Sequence, residues 1–344
     1  MHGIKECIYV GYDSTNFNTN AYGIELADYG HPKVDEGLPQ YNLAYAVNQK
    51  DSTPLFYELY DGSVIDNTEL EIMLEEAKEY GHEKLGVLMD RGYISEKNIK
   101  ALRTKGYEYI LMMKQNQRIC QEIIEEYGAA VQSLEGYYIG EHGVYGTTVK
   151  KQLYGQETNI HVYYDDIRAS EEKVALMSRY ETWEKEIEKK VAKGIATEGE
   201  MKKYRKVFKL KYDQNGYLVA YQRNSRYIKE EIRNLGFFFI MTSEDMSASK
   251  ALDIYRGRDN IEKMFRSLKS GIDFNKARVH TTESLKSKVF VTFIAMIVRN
   301  ELFQKAEVLR KKNRKAYTVP GMISELENIE CTRNSVGKYR RKYA

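Results

Sequence analysis

Near residue 61 the apolar residues of this chain stop alternating and begin to recur at helical spacing. Before that point, residues 4–12, 21–27, 41–48 and 54–60 read as short strands, the last two separated by the polar turn Gln49-Lys50-Asp51-Ser52. They predict an antiparallel meander, with Asp13 late in, or ending, its first strand. After Asp61-Gly62, Asp66 or Asn67 can cap a helix that carries Leu70, Met73, Leu74 and Ala77 and ends at Gly81. Leu85–Met89 is then a continuous apolar run ending at Asp90, the pattern of a strand covered on both faces. Ser95 and Gly106 bracket a further helix, and residues 109–113 are a second buried strand. Residues 85–113 therefore read as a β-α-β unit, and the fold class is α/β.

The remainder divides by pattern. A helix is expected over 118–131. Residues 134–235 look like an insertion: glycine- and tyrosine-rich strands over 137–164, a densely charged helical hairpin over 171–204 broken at Lys193-Gly194-Ile195, and strand-like residues over 207–222. Residues 236–242 form another buried strand. One long helix is expected from Ser247 or Ser249 to Ser270, and another over 284–311 with Leu285, Val289, Phe290, Phe293, Ile294 and Ile297 on its apolar face. The expected organisation is a core over 1–133 and 236–309, an insertion over 134–235, and a basic tail over 310–344.

Three widely spaced cysteines exclude a disulfide scaffold and a Cys-x-x-Cys zinc site. The longest apolar run, residues 289–298, is half the ~20 residues a membrane span needs. With no signal-peptide pattern at the start, a cytoplasmic protein is the expectation. Charge is uneven: the first hundred residues hold 8 Lys/Arg against 18 Asp/Glu, and residues 300–344 hold 11 against 5. An acidic first third and a basic remainder suit a cation and a polyanion respectively, or simply solvated faces.

Asp13 and Asp90 both follow apolar strand residues, and ligand sites gather at the carboxyl ends of strands in open sheets. An aspartate there is more often a turn or cap residue, so neither stands alone. The helix after the insertion says more. At ~100° per residue, Tyr255, Arg258, Glu262 and Lys269 fall within about 60° of arc, beside an apolar stripe of Ile254, Ile261, Met264, Phe265 and Leu268. A carboxylate flanked by two cations and a phenol suits joint binding of metal and phosphate. Rim salt bridges of ~0.3–0.5 kcal/mol each account equally well for the spacing alone.

The segment Tyr255-Arg256-Gly257-Arg258-Asp259-Asn260-Ile261-Glu262-Lys263-Met264-Phe265-Arg266-Ser267-Leu268-Lys269 closely resembles the signature of bacterial insertion-sequence DDE transposases of the YREK group. Asp90-Arg91-Gly92-Tyr93 and Tyr12-Asp13-Ser14-Thr15 resemble the contexts of that family's two aspartates, and the resemblance runs from about residue 7 to 305. It implies an RNase H-like mixed five-stranded sheet flanked by helices, with a β-rich insertion before the last catalytic helix. It further implies Asp13, Asp90 and Glu262 as catalytic metal ligands for Mg²⁺, two ions with Mn²⁺ as the alternative. Tyr255, Arg258 and Lys269 would contact DNA phosphates. Two metal ions ~3.5–4 Å apart suit phosphodiester cleavage and strand transfer. Pairing two DNA ends makes a homodimer the expectation in the DNA complex.

Arg91 and Arg266 either meet DNA or lie at solvated surface, and the charged hairpin is either a solvated or partner-facing pair or a DNA clamp. The tail cluster from Arg310 to Lys315 either binds DNA nonspecifically or complements a helix C-terminus. The six histidines show no metal-ligand spacing. Relatives usually carry an N-terminal helical region that recognises element ends, whereas this chain starts within a few residues of the first catalytic strand. The alternatives are thus a truncated, non-catalytic DNA-binding remnant, or a general RNase H-like nuclease without strand transfer.

Overall fold

The computed structural model describes residues 8–30, 37–64, 66–79, 85–89, 91–133, 137–194, 196–266, 268–269, 278–313, 318–327, 330–333 and 339–342. Two compact units divide the chain: residues 1–111 with 253–344, and residues 112–252.

In the first unit, β1 (Ile8–Asn18), β2 (Gln40–Asn48) and β3 (Pro54–Asp61) form the meander. α1 (Asp66–Glu79), β4 (Leu85–Met89), α2 (Glu96–Lys105) and β5 (Glu108–Met112) follow. The strand order is β3-β2-β1-β4-β5. β1 is antiparallel to β2 and parallel to β4, and β4 is parallel to β5. This is the mixed α/β sheet flanked by helices that the resemblance implies.

Local chemistry explains these elements. The Ser95 side chain accepts a hydrogen bond from the Asn98 amide at 3.1 Å, and Gly106 closes α2 in the left-handed conformation at φ 73°. All five residues of β4 are buried. The segment 21–27, expected as a strand, is instead a turn. Its Ala27 amide bonds the Ile24 carbonyl, and the Thr282 hydroxyl accepts from the Glu25 amide at 2.8 Å. A contact 257 residues away overrides the local alternation.

The second unit contains α3 (Arg118–Ser133), β6 (Tyr138–Ile139), β7 (Val144–Leu153) and β8 (Gln156–Tyr164). α4 (Asp166–Lys193), α5 (Glu198–Met201), β9 (Phe208–Tyr212), β10 (Leu218–Arg223), α6 (Ser225–Arg233) and β11 (Phe237–Thr242) complete it. Strands β11-β8-β7-β6 are antiparallel neighbours, and β9 and β10 pair separately. Of the expected helical hairpin, α4 forms the first arm and ends at Gly194, inside the expected break, while the second arm is only the four-residue α5. α4 is one helix of 28 residues, and the chain returns through tight turns in which the Tyr204 amide bonds the Met201 carbonyl and the Val207 amide the Tyr204 carbonyl. Leu176, Tyr180, Ile187, Tyr204 and Phe208 form a core for this part of the unit.

From residue 248 the expected single helix is two, α7 (Ala248–Arg256) and α8 (Asp259–Arg266), and its expected end at Ser270-Gly271 lies outside the described residues. α9 (Thr282–Asn313) follows. Ile261, Met264, Phe265 and Leu268 pack with Leu285, Val289 and Phe293 of α9 against Tyr41, Leu43 and Tyr45 of β2. Phe290 and Ile294, expected on the apolar face of α9, are exposed. α10 (Val319–Glu327) and the paired strands β12 (Glu330–Arg333) and β13 (Tyr339–Lys342) end the first unit. Side chains of 310–315 lie outside the described residues.

Candidate active site

Asp13 stands in mid-strand, opposite Tyr45 of β2, rather than at a strand end. Strand alternation turns Gly11, Asp13, Thr15 and Phe17 to one face. Phe17 packs there with Ile261, Met264 and Phe265 of α8, so Asp13 shares the face that α8 covers. Its side chain keeps 22% exposure. Oδ1 accepts a hydrogen bond from the Ser14 amide at 2.8 Å, and Oδ2 faces Arg258 Nη2 at 3.7 Å.

Arg258 occupies the break between α7 and α8. Its amide bonds the Tyr255 carbonyl at 2.9 Å, and its carbonyl accepts from the Ile261 amide at 3.0 Å, so the chain tightens to three-residue bonds at this point. A side chain at Gly257 would collide with the Gln49 amide, and a Cβ at Gly11 would stand 3.2 Å from Gln49 Oε1. Gln49 thus occupies space left by two glycines, one on β1 and one in the break. Sequence reasoning placed Gln49 only in a turn. The signal that finds it is the pair of side-chain-free positions, which gain meaning once the fold brings them together.

The break changes the predicted geometry of the signature. Tyr255 ends one helix while Arg258 and Glu262 belong to the turn and the next helix, so a continuous helical wheel does not relate them. Tertiary contacts do. Arg258 Nη2 lies 3.4 Å from Glu262 Oε1, and Nη1 donates to the Tyr255 hydroxyl at 3.3 Å. One guanidinium, 15% exposed, joins a phenol, a strand carboxylate and a helix carboxylate. Tyr255 is buried, whereas Glu262 is 54% exposed. Asp259 and Glu262 in the first turn of α8 also complement the positive end of the helix.

Two carboxylates facing one nitrogen define a point where positive charge is favoured. Their oxygens are no farther apart than the sum of the two ion-pair distances. Carboxylate oxygens are the ligand type a hard divalent cation takes. Among the described residues no three His, Cys, Asp or Glu gather as a metal-binding group, and Asp90 lies outside those residues.

The other candidates are placed differently. The Lys269 ammonium lies 5.3 Å from the centre of the Phe17 ring, a cation–π contact. Phe17 is four residues along β1 from Asp13, about 13 Å at ~3.3 Å per residue. Arg91 begins a short turn after Asp90 and is exposed, as is Arg266 at the end of α8.

The family model described as the transposase DDE domain matches residues 12–298. The chain belongs to the transposase DDE domain family. The matched span begins one residue before Asp13, ends within α9, and includes Asp90 and the whole Tyr255–Lys269 segment. No curated protein matches this DDE domain chain. Among solved structures it is similar to a piggyBac transposase, determined by cryo-electron microscopy as a synaptic complex with hairpin DNA. The two are 8% identical with a TM-score of 0.43 over 93% of this chain and 52% of the other, so the chain spans about half the length of that transposase. No helix among the described residues is long and apolar enough to cross a membrane.

Proposed function

We propose that this DDE domain cleaves and joins DNA at the ends of a bacterial insertion sequence of the YREK group, with Asp13, Asp90 and Glu262 as ligands for Mg²⁺. The observation that carries the reading is the convergence of Asp13, from β1, and Glu262, from α8, on a single nitrogen of Arg258. The donor set fits a hard divalent cation, which takes one or two carboxylates and completes its shell with water and substrate phosphate. Asp90 is supported by its place in the chain. It follows Met89, and β4 runs parallel to β1 with Leu88 beside Gly11, two residues before Asp13.

Bound magnesium would supply charge neutralisation at the phosphate and acidify the attacking water or hydroxyl. The chain's own residues do the rest. Arg258 presents a guanidinium at the carboxylates, where it can bind a phosphate oxygen and fix the strand without reading its sequence. Tyr255 is buried and acts by holding Arg258. Lys269, Arg91 and Arg266 add positive charge for the DNA backbone. A homodimer that pairs two ends belongs to the same reading.

The test is nicking and joining of DNA that carries the element's own ends. The wild-type chain should nick in Mg²⁺ and not in EDTA. Asp13→Asn, Asp90→Asn and Glu262→Gln should each lower the rate on the order of a thousandfold. Equal activity in any one variant removes that residue from the ligand set. Nicking without joining of a pre-cut end replaces the transposase reading with that of a nuclease.

A further inference from the structure

The second unit carries a cluster of cations that the proposed active site does not use. Between residues 201 and 212 the chain reads Met-Lys-Lys-Tyr-Arg-Lys-Val-Phe-Lys-Leu-Lys-Tyr. Tight turns bury Met201, Tyr204 and Val207 at three-residue spacing, so Lys202, Lys203, Arg205 and Lys206 face solvent. Strand alternation continues the separation in β9. Phe208 packs into the core with Leu210 and Tyr212 beside it, and Lys209 and Lys211 point outward. Opposite them in β10 stand Gln222 and Ala220, which bring no charge.

Neighbouring cations have partners. Lys203 pairs with Glu186 at 3.1 Å, Lys190 with Glu200 at 3.8 Å, and Arg223 with Glu184. Among the described residues, Lys202, Arg205, Lys206, Lys209 and Lys211 form no ion pair, and all five are exposed. Lys202, Arg205 and Lys209 also line an open depression of about 460 Å³, together with Glu198, Phe208 and Tyr212. Five unneutralised cations within ten residues, held on a turn and a strand by a packed core, repel one another unless an anionic partner is present. The same arrangement offers a polyanion several closely spaced charges at little ordering cost.

We propose that this surface binds the phosphate backbone of duplex DNA without reading its sequence, a second DNA contact carried wholly by the second unit. The proposal rests on the reading of the chain as a DNA transposase. The proposal assigns no base contact: Lys202, Arg205 and Lys209 supply three positive charges around the depression against the single carboxylate of Glu198, with Tyr212 beside them, so charge carries the recognition.

The test uses the full chain and a labelled random-sequence duplex. Lys202→Gln, Arg205→Gln, Lys206→Gln, Lys209→Gln and Lys211→Gln are combined, with unchanged circular dichroism as the check on folding. Affinity near physiological salt should fall at least tenfold. The slope of log K against log salt should shrink by about 0.9 for each cation that meets a phosphate. A control with Lys100→Gln, Lys105→Gln, Arg118→Gln, Lys151→Gln and Arg226→Gln removes the same charge from ion-paired positions and should change both quantities less. The proposal is overturned if the folded patch variant keeps wild-type affinity and slope, if the control loses as much as the patch variant, or if the wild-type chain does not bind the duplex. It is also overturned if polyglutamate competes as well as unlabelled duplex, which would make the surface one for acidic protein. Cleavage by Asp13→Asn is read in parallel. Wild-type activity in that variant defeats the catalytic assignment and leaves the patch standing, whereas wild-type DNA binding by the patch variant defeats only the patch.

Discussion

The two compact units handle charge in opposite ways. In the first, Arg258 is drawn in between Asp13 and Glu262, largely shielded from water, and ties a strand to a helix. In the second, the lysines and arginine of 202–211 stand outside a core of aromatic and aliphatic side chains, while the buried polar group His161 is uncharged. His161 is held between the Thr148 and Thr242 hydroxyls at 2.8 and 3.0 Å, and burial pushes its imidazole down to about 4, partly opposed by Asp245. A partly exposed ion cluster can exchange its internal cation for another one. An interior built on a neutral imidazole tolerates no such exchange and is sensitive to protons instead.

Acid is therefore the sharpest way to separate the two interiors. The folded-state value of His161 lies below the ordinary value of 6.5. Its contribution is present in full above pH 6.5 and is lost as pH falls toward 4, because the unfolded chain then binds the extra proton. On the order of 3 kcal/mol is at stake across that window. Trp183, the chain's one tryptophan, lies in α4 and reports unfolding of the second unit. Urea midpoints followed by its fluorescence should drop between pH 7 and pH 4.5, with much less change in His161→Gln. Equal slopes in both proteins would break the contrast.

Arg258→Ala should have the next largest effect, about 2 kcal/mol, since it leaves two carboxylates facing each other without their cation. The first unit should lose that stability in EDTA and recover more of it on adding Mg²⁺ than the wild type gains. A variant insensitive to Mg²⁺ would show that the acids do not form a cation site. The smallest effect lies in the scaffold: Ser95→Ala removes the N-cap of α2 and should cost about 1 kcal/mol in thermal or urea unfolding, with no change in DNA affinity.

What was legible in the sequence follows the range of the forces involved. The ends of α2, the buried strands around Asp90 and the parallel pairing of β4 with β5 depend on caps and apolar runs a few residues long. The turn over 21–27 depends on Thr282, and the break at Gly257-Arg258 depends on Gln49 and Asp13, so neither shows in local spacing. Phe290 and Ile294 misled because α9 has a wider apolar surface than the contacts it makes. The abundance of tyrosine has a structural side: Tyr12, Tyr41, Tyr45, Tyr109, Tyr163, Tyr180 and Tyr204 are fully buried and fill the cores of both units. At the site, Asp13, Arg258 and Glu262 were singled out by the resemblance of their sequence contexts, since residue types and spacing alone suit rim salt bridges equally well. Their convergence through one guanidinium needed the fold, because it joins a strand to a helix some 250 residues away.

Titration of Mn²⁺ into the DNA-free chain, followed by electron paramagnetic resonance, tests the pairing of the strand and helix carboxylates most directly. Asp13→Asn and Glu262→Gln should each weaken binding at least tenfold, and the double variant should lose less than the product of the two losses, because both oxygens serve one site. Wild-type affinity in either single variant, or fully independent losses in the double, would contradict it.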